Sequence, residues 1–217
     1  MGTEPESLGQ AVARTGVERT HQQTTTTFKA AKRDLMFAEH KIPVRYRKAD
    51  YSGFDDKGVS KARLAVKEGH DCILLGVPGA GKTQLATAMM IDHLMRQYEA
   101  SETGNVPTSH WAMVPMVLHD LRATFGTKIS SDVITKPLRE ANLLLLDDLG
   151  AEQDSDWSAT ELYIIIADRI NNCRQTIVTT NLSGEEIEAW NKRIYSRLAS
   201  FDRIVPGTVD RRKEAKT

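Results

Sequence analysis

The residues with the clearest chemical use form a short glycine-rich stretch that ends in lysine and threonine. Residues 76–83 read Gly-Val-Pro-Gly-Ala-Gly-Lys-Thr and directly follow the apolar run Cys72–Leu75. Glycines let the backbone bend so that its N–H groups point inward and surround phosphate oxygens. A helix that begins at Lys82 would direct the positive end of its dipole at the same anion. This pattern predicts a nucleotide-phosphate site, because a plain strand-to-helix turn has no need of three glycines before Lys-Thr.

Two side chains of this stretch have predicted roles of their own. We expect Lys82 to contact the β- and γ-phosphates and the Thr83 hydroxyl to bind Mg²⁺. The full set of predicted nucleotide-binding residues is Gly76, Val77, Pro78, Gly79, Ala80, Gly81, Lys82, Thr83 and Gln84.

Two carboxylates follow a second apolar run. Asp147 and Asp148 come directly after Leu143–Leu146. A buried parallel strand reads as a continuous apolar run, and ligands gather at its carboxyl end. Asp147 is therefore predicted to hold Mg²⁺ beside the phosphates, and Asp148 to orient or deprotonate the attacking water. A solvated acidic turn is the alternative, and it would be preferred if the chain had no phosphate loop.

Polar residues also follow a third apolar run and a basic helical stretch. Asn181 comes shortly after Gln175–Thr179, so its side chain is expected near the γ-phosphate or the attacking water. Arg193 and Arg197 are four residues apart and share a helix face. Either they form a solvated basic face, or one of them reaches the ATP of a neighbouring subunit and acts in trans.

The elements that would position these residues alternate between strands and helices. Apolar patterning predicts strands at Cys72–Leu75, Trp111–Val114, Leu143–Leu146, Gln175–Thr179 and Arg203–Val205. Helical patterning predicts helices at Phe28–His40, Lys57–Glu68, Lys82–Tyr98, Pro115–Phe125, Ser158–Ile170 and Glu185–Leu198. From Cys72 onward this alternation is typical of an α/β fold, in which a parallel five-stranded sheet has helices on both faces.

The composition limits the classes of protein to consider. The 217 residues include 29 Lys and Arg against 29 Asp and Glu, so a nucleic-acid surface would have to be local. The two cysteines, Cys72 and Cys173, are expected to be reduced. No apolar run resembles a signal peptide or approaches membrane-spanning length, so we expect a cytoplasmic protein without a membrane partner.

The order of these motifs resembles that of AAA+ ATPases, and within them the DnaC/IstB group of helicase loaders and transposition ATPases. The similarity runs from about Ala38 to Arg212 and includes residues 42–49, 76–83, 143–150, 179–182, 195–198 and 207–211. The resemblance implies a P-loop AAA+ core that uses ATP and Mg²⁺. It also implies that Asn181 is the first sensor residue and Arg197 the arginine finger in trans, with Arg193 as the second candidate.

Two departures from the family pattern change the expectations. Many AAA+ proteins have Asp-Glu where this chain has Asp147-Asp148, so turnover is expected to be slow. The chain ends soon after Arg212, so we expect a C-terminal lid that is absent or truncated. The predicted organisation is a disordered tail over 1–27, a helical partner-binding or linker segment over 28–50, an AAA+ ATPase domain over 51–212 and a basic tail over 213–217.

The resemblance also implies where DNA would bind. Loaders of this group contact single-stranded DNA near the helix that follows the second strand, here Pro115–Phe125. Phe125 matches an aromatic position there, Trp157 falls near a second one, and Lys128 lies close by. Base stacking suits a protein that binds without regard to sequence. A core aromatic is an equally weighted alternative for Phe125.

The leading hypothesis is an ATP-dependent helicase loader in DNA replication, which binds single-stranded DNA and delivers a ring-shaped replicative helicase. It would self-associate through nucleotide-bridged interfaces. The alternatives are an IstB-like ATPase that assists a transposase in target DNA selection, a P-loop small-molecule kinase and a nucleotide-binding regulator that does not hydrolyse ATP. A kinase would leave Arg193 and Arg197 unexplained.

Overall fold

The computed structural model describes residues 31–151 and 156–207. The predicted tails over 1–27 and 213–217 lie outside these residues, as does the stretch after Arg212 to which the expectation of an absent or truncated lid refers, and the domain boundaries stay predictions. The described residues divide into two compact units, of which the first ends at Glu39 and the second begins at His40. The described part of the first unit is a helix over residues 31–39, here called α1.

The second unit is built around a five-stranded sheet in which every strand pairing is parallel. The strands are β1 (Cys72–Leu75), β2 (Ser109–Met113), β3 (Leu143–Leu149), β4 (Gln175–Thr180) and β5 (Asp202–Ile204). Their order across the sheet is β2-β3-β4-β1-β5. The three strands whose ends carry the predicted site therefore lie next to one another in the centre of the sheet.

Helices cover both faces of this sheet. A short 3₁₀ helix at Val44–Tyr46 precedes them, and the α-helices are α2 (Asp56–Glu68), α3 (Lys82–Ala100), α4 (Val114–Ala123), α5 (Asp132–Glu140), α6 (Asp156–Asn171), α7 (Gly184–Trp190) and α8 (Lys192–Leu198). Ile73 packs in one apolar cluster with residues of α4 to α8. Its neighbours Cys72 and Leu74 point to the opposite face, where α3 contacts β1. The predicted α/β fold class is confirmed.

The helix predicted over Glu185–Leu198 is wrong, because the structure has two helices there. Asn191 is in an extended conformation with φ −155° and ends α7. Its side chain accepts hydrogen bonds from the backbone N–H groups of Arg193 and Ile194, which makes it the N-cap of α8. Arg193 and Arg197 still share one helix, so the predicted relation between them is unaffected.

Helix α5 was not predicted at all, and a buried arginine stabilises it. Pro137 lies inside the helix, where proline normally removes a hydrogen bond. Arg169 of α6 is fully buried, and its guanidinium donates to the carbonyls of Leu138 and Ala141 at 2.8 and 2.7 Å. Burial lowers the pKa of Arg169 to about 10. Carbonyls that the helix end leaves unpaired are thus satisfied by a residue 28 to 31 positions further along the chain.

Neither cysteine forms a disulfide; Cys72 is buried and Cys173 is exposed. Among residues 31–151 and 156–207, no helix combines the length and the apolar character that crossing a membrane requires.

Candidate functional site

The glycine-rich stretch forms a tight loop between β1 and α3. Gly79 and Gly81 have φ of 85° and 88°, a conformation that favours glycine. Gly81 immediately precedes α3 and has no side chain with which to cap it. Gly81 therefore supplies no side-chain oxygen to the first N–H groups of α3. An anion site at a helix N-terminus needs such N–H groups to be available for the ligand.

Lys82 connects this loop to the end of β4. Its side chain donates hydrogen bonds to the carbonyls of Gly76 and Val77 at 2.7 and 2.9 Å and to Asn181 Oδ1 at 2.7 Å. The residue is only 7% exposed. The ammonium thus has an oxygen acceptor for each of its three N–H groups, and phosphate oxygens would be acceptors of the same kind. The structure brings together two predicted site residues that are 99 positions apart.

Asp147 lies buried at the end of β3, between two threonine hydroxyls. The Thr179 hydroxyl donates to Asp147 Oδ1 at 2.7 Å, and the Thr83 side chain also forms a hydrogen bond with this carboxylate. Burial raises the pKa of Asp147, and the neighbouring charge of Asp148 raises it further. The predicted metal ligands Thr83 and Asp147 are therefore in contact, and they supply the hard oxygen atoms that Mg²⁺ prefers. This donor set fits the ion.

Asp148 and Asn181 form the second half of the site. The Asn181 Nδ2 group donates to Asp148 Oδ1 at 2.9 Å, while Asn181 Oδ1 accepts from Lys82. Only this orientation of the amide meets both an ammonium donor and a carboxylate acceptor, so the two contacts fix it. The backbone of Asp148 has φ 62°, and its N–H donates to the Thr179 hydroxyl at 2.9 Å. Lys82, Asn181 and Asp148 thus form one continuous hydrogen-bonded chain.

The remaining predicted loop residues surround this chain. Val77 and Pro78 are exposed, Ala80 is buried, and Thr83 and Gln84 are half-buried in the first turn of α3. The loop therefore presents an open backbone surface at the carboxyl ends of β1, β3 and β4. A lysine, two carboxylates and an amide at that edge have the groups needed to bind a nucleotide's phosphates and to activate water.

The two candidate arginines contact the same aromatic residue of α6. The Arg197 Nη2 group donates to the Tyr163 hydroxyl at 3.4 Å. The guanidinium carbons of Arg193 and Arg197 lie 6.0 and 5.8 Å from the centre of the Tyr163 ring. The hydrogen bond from Arg197 lowers the pKa of Tyr163. Tyr163 was not predicted as a site residue, because its position on an apolar helix gives no local sign of this contact.

Phe125 and Trp157, the two aromatic candidates for DNA binding, lie against each other. Their ring centres are 5.1 Å apart and their planes meet at 80°, and the Arg122 guanidinium carbon lies 5.3 Å from the centre of the Trp157 ring. Phe125 is 59% exposed, so its interpretation as a core residue is wrong. Trp157 is half-buried and packs on the apolar cluster. We call Arg122, Phe125 and Trp157 the aromatic patch.

The third DNA candidate, Lys128, is exposed in the loop between α4 and α5. It follows Phe125 by three residues, and the structure shows no contact that joins it to the two rings. Arg122 was not predicted as part of this surface. The sequence feature that could have identified Arg122 is its position three residues before Phe125, because residues at that spacing lie on the same side of a helix.

Comparisons with known proteins agree with this geometry. The model of a family described as IstB-like ATP binding protein matches residues 5–208. The chain is 26% identical over 145 residues to the uncharacterized protein YqaM of Bacillus subtilis strain 168, a match that covers 62% of this chain and 42% of YqaM. It is 29% identical over 143 residues to the phage-like element PBSX protein XkdC of the same strain, covering 62% and 50%. The matched stretch therefore spans half or less of these relatives.

Solved structures show the same fold. A crystal structure of the DnaC helicase loader superposes with a TM-score of 0.63 at 24% identity, covering 76% of this chain and all of that chain. A crystal structure of DnaI gives 0.62 at 24% identity, covering 76% and 94%. AMPPCP-bound DnaA from Aquifex aeolicus gives 0.62 at 16% identity, covering 74% and 50%.

The family model covers nearly the whole chain, and the phosphate loop, Asp147, Asp148 and Asn181 meet at one edge of the sheet. The prediction of ATP binding is therefore confirmed at the level of the family, and ATP hydrolysis stays a prediction. The chain belongs to the family of IstB-like ATP binding proteins.

Proposed function

We propose that this protein is an ATP-dependent helicase loader in DNA replication, which binds single-stranded DNA and delivers a ring-shaped replicative helicase. The likeness to the DnaC helicase loader, which extends over all of that chain, supports the proposal. The observation that carries it is the aromatic patch, because an exposed phenylalanine edge-on to a tryptophan is what a surface for unpaired bases needs.

The aromatic patch is better suited to bind unpaired bases than to bind an apolar surface of another protein. Phe125 exposes more than half of its surface on a short connection, and the Arg122 guanidinium next to Trp157 can lie beside a base or contact a phosphate. Lys128 on the neighbouring loop offers a second positive charge for the backbone. Each of these contacts is independent of base identity, as a loader requires.

ATP would bind at the carboxyl edge of the sheet. We propose that phosphate oxygens replace the carbonyls of Gly76 and Val77 as acceptors for Lys82. Thr83 and Asp147 would hold Mg²⁺, which supplies positive charge to the phosphates when it is bound. Asn181 would orient the attacking water, and the Asp148 carboxylate would accept its proton.

The two arginines would complete the site of a neighbouring copy. Arg197 would be supplied in trans, with Arg193 as the second candidate, so that ATP bridges two subunits. Tyr163 contacts both guanidinium groups and keeps them together on one face of the molecule. A location in the cytoplasm also stays a prediction.

A second function is favoured by the family model itself. An IstB-like ATPase would assist a transposase in target DNA selection, and it would bind double-stranded DNA. On that interpretation the aromatic patch would meet a partner protein or a distorted duplex rather than unpaired bases.

A loading assay distinguishes the two functions. The protein is mixed with ATP, circular single-stranded DNA and the ring-shaped replicative helicase of the same genome, and helicase retained on the closed circle is measured. The loader proposal expects retention that depends on both this protein and ATP, and tighter binding of single-stranded than of duplex oligonucleotides. Duplex preference together with co-purification of a transposase would establish the second function instead.

A further inference from the structure

Two consecutive carboxylates reach the same site only because β3 contains an irregularity. The pairing of β3 with β4 is regular up to Leu146 opposite Val178, and the next pair is Leu149 opposite Thr180. Three steps along β3 thus correspond to two steps along β4, which is the pattern of a β-bulge. In a regular strand Asp147 and Asp148 would point to opposite faces of the sheet.

The backbone of Asp148 shows how the bulge redirects the second carboxylate. Its φ of 62° lies in the left-handed region, which is uncommon for residues other than glycine but is tolerated by aspartate. This conformation turns the carboxylate of Asp148 toward the Nδ2 group of Asn181, 2.9 Å away. Asp147 remains buried beside Thr83.

One hydroxyl holds both residues of the bulge. Thr179 is 1% exposed, and its Oγ1 atom donates to Asp147 Oδ1 at 2.7 Å and accepts from the Asp148 N–H at 2.9 Å. A hydroxyl can do both at once because it has one hydrogen and two lone pairs. The side chain thus supplies the acceptor that the interrupted strand pairing no longer gives to the Asp148 N–H, and an unpaired buried N–H is costly.

We infer that Thr179 is a positioning residue for ATP hydrolysis, whose hydroxyl holds the bulge that directs Asp147 and Asp148 to one site. The inference rests on the proposed roles of these two carboxylates. Thr179 does not touch the reacting atoms. It acts through Asp147 by fixing one carboxylate oxygen and through Asp148 by fixing its backbone.

The test removes the hydroxyl while keeping the shape of the side chain. Thr179→Val should lower kcat for ATP hydrolysis by about 10- to 100-fold, the usual cost of losing a side chain that orients a metal ligand, here the proposed ligand Asp147. Affinity for a fluorescent ATP analogue should change little, because Lys82 and the loop are untouched. Thr179→Ser retains the hydroxyl and should recover most of kcat. If Thr179→Val does not fold, Thr179→Ala removes the same hydroxyl without placing a methyl group beside the carboxylates.

The neighbouring threonine provides a matched control. Thr180 is equally buried. Its hydroxyl donates to the Leu149 carbonyl at 2.7 Å and accepts from the Leu182 N–H at 3.1 Å, so it bonds to β3 and to the chain after β4 without contacting a carboxylate. Thr180→Val should lower the melting temperature but spare kcat at temperatures where the protein is folded. Equal loss of kcat in Thr179→Val and Thr180→Val would show a merely structural role and overturn the inference.

Asp148→Asn separates failure of this inference from failure of the proposed chemistry. If Asp148→Asn retains full turnover, the proposed role of Asp148 is wrong. If Asp148→Asn loses turnover while Thr179→Val does not, only the positioning role is wrong. The double variant should lose less than the product of the two single losses, because Thr179 acts in part through Asp148, whereas fully independent losses would contradict the inference.

Discussion

The nucleotide site and the aromatic patch are built in opposite ways. At the nucleotide site, side chains from three strand ends are joined by hydrogen bonds of 2.7 to 2.9 Å. At the patch, two rings and a guanidinium are in contact on the surface, and one ring is mostly exposed. In the first arrangement Asp147, Asp148 and Asn181 are oriented by hydrogen bonds before a ligand arrives, which suits bond-breaking chemistry. The second offers π-surface without fixed polar partners, which suits a ligand of variable sequence.

This contrast predicts different consequences of mutation. Loss of one side chain at the nucleotide site should strongly lower either the rate of ATP hydrolysis or the affinity for ATP. Loss of one ring at the patch should weaken DNA binding by a modest factor and leave ATP binding intact. Measuring both ATP binding and DNA binding for a variant shows whether a change in one region also affects the other.

The largest effect is expected for Arg197→Ala. An arginine finger contributes roughly 10³- to 10⁵-fold to turnover in other nucleotide hydrolases, and the loss here should be smaller because turnover is expected to be slow. ATP binding to the monomer should be normal, since Arg197 contacts Tyr163 rather than the phosphate loop of its own subunit. Steady-state ATPase assays and nucleotide titrations measure the two quantities.

Mixing variants tests whether Arg197 acts in trans. Arg197→Ala and Asp148→Asn subunits are each inactive alone, but a mixed interface has an intact arginine facing an intact carboxylate. The mixture should therefore recover part of the activity. A mixture as inactive as its components would show that Arg197 works within its own subunit or has no role.

Lys82→Ala should produce the next largest effect, on ATP affinity. Each hydrogen bond from a charged donor is worth about 1.5–3 kcal/mol, so loss of the lysine should weaken ATP binding by at least about tenfold. Isothermal titration with ATP measures this change. Single-stranded DNA affinity without nucleotide should be unchanged, because the patch lies at the end of α4 and the start of α6, outside the phosphate loop. Unchanged ATP affinity would contradict the site assignment.

Much of the nucleotide site could be predicted from local sequence patterns. The apolar run of β1 was predicted with its observed bounds, and Asp147, Asp148 and Asn181 were placed together because parallel strands end at the same edge of a sheet. The bulge and the role of Thr179 could not be predicted. They depend on the register between two strands that are separated by a whole helix, and no local pattern encodes that register.

One local cap and one tertiary contact explain the errors in the helices. The pattern across Asn191 is apolar and periodic on both sides, so a single helix was predicted where an N-cap separates two. Helix α5 contains Pro137 and depends on hydrogen bonds from Arg169, a residue in another helix. At α5 the deciding hydrogen bonds come from a side chain whose partners the sequence alone does not identify. At Asn191 they are local, and its residue type as an N-cap was the signal that could have found them.

Phe125→Ala should have a smaller effect, confined to DNA. Stacking of a base on an aromatic ring is worth about 1–3 kcal/mol, so affinity for a labelled single-stranded oligonucleotide should fall by that amount, with little change in its salt dependence. Leu64→Ala on α2 is the matched control, because Leu64 is also apolar and 52% exposed. It should leave DNA affinity unchanged.

Thermal stability completes the test of Phe125. A core-sized loss of about 3–5 kcal/mol is expected only for a buried aromatic, and the exposure of Phe125 predicts a much smaller change. A strongly destabilised Phe125→Ala protein would therefore contradict the stacking proposal. The sequence could not decide this point, since an aromatic residue at the end of an amphipathic helix is compatible with burial and with exposure. The structure decides it, because Phe125 lies edge-on to Trp157 with 59% of its surface exposed.

The smallest expected effect is that of Lys128→Ala, and it shows where the DNA backbone runs relative to the rings. Lys128 is exposed three residues after Phe125, so a strand stacked on the patch would place a phosphate within its reach. Loss of one phosphate contact should lower the slope of log affinity against log salt by about one unit. Lys136→Ala on α5 is the control, because Lys136 is also exposed but lies further along the chain. If Lys136→Ala changes the slope of log affinity against log salt and Lys128→Ala does not, the DNA strand runs from the aromatic patch across α5. The aromatic patch would then lie at one end of the DNA-binding surface rather than at its centre.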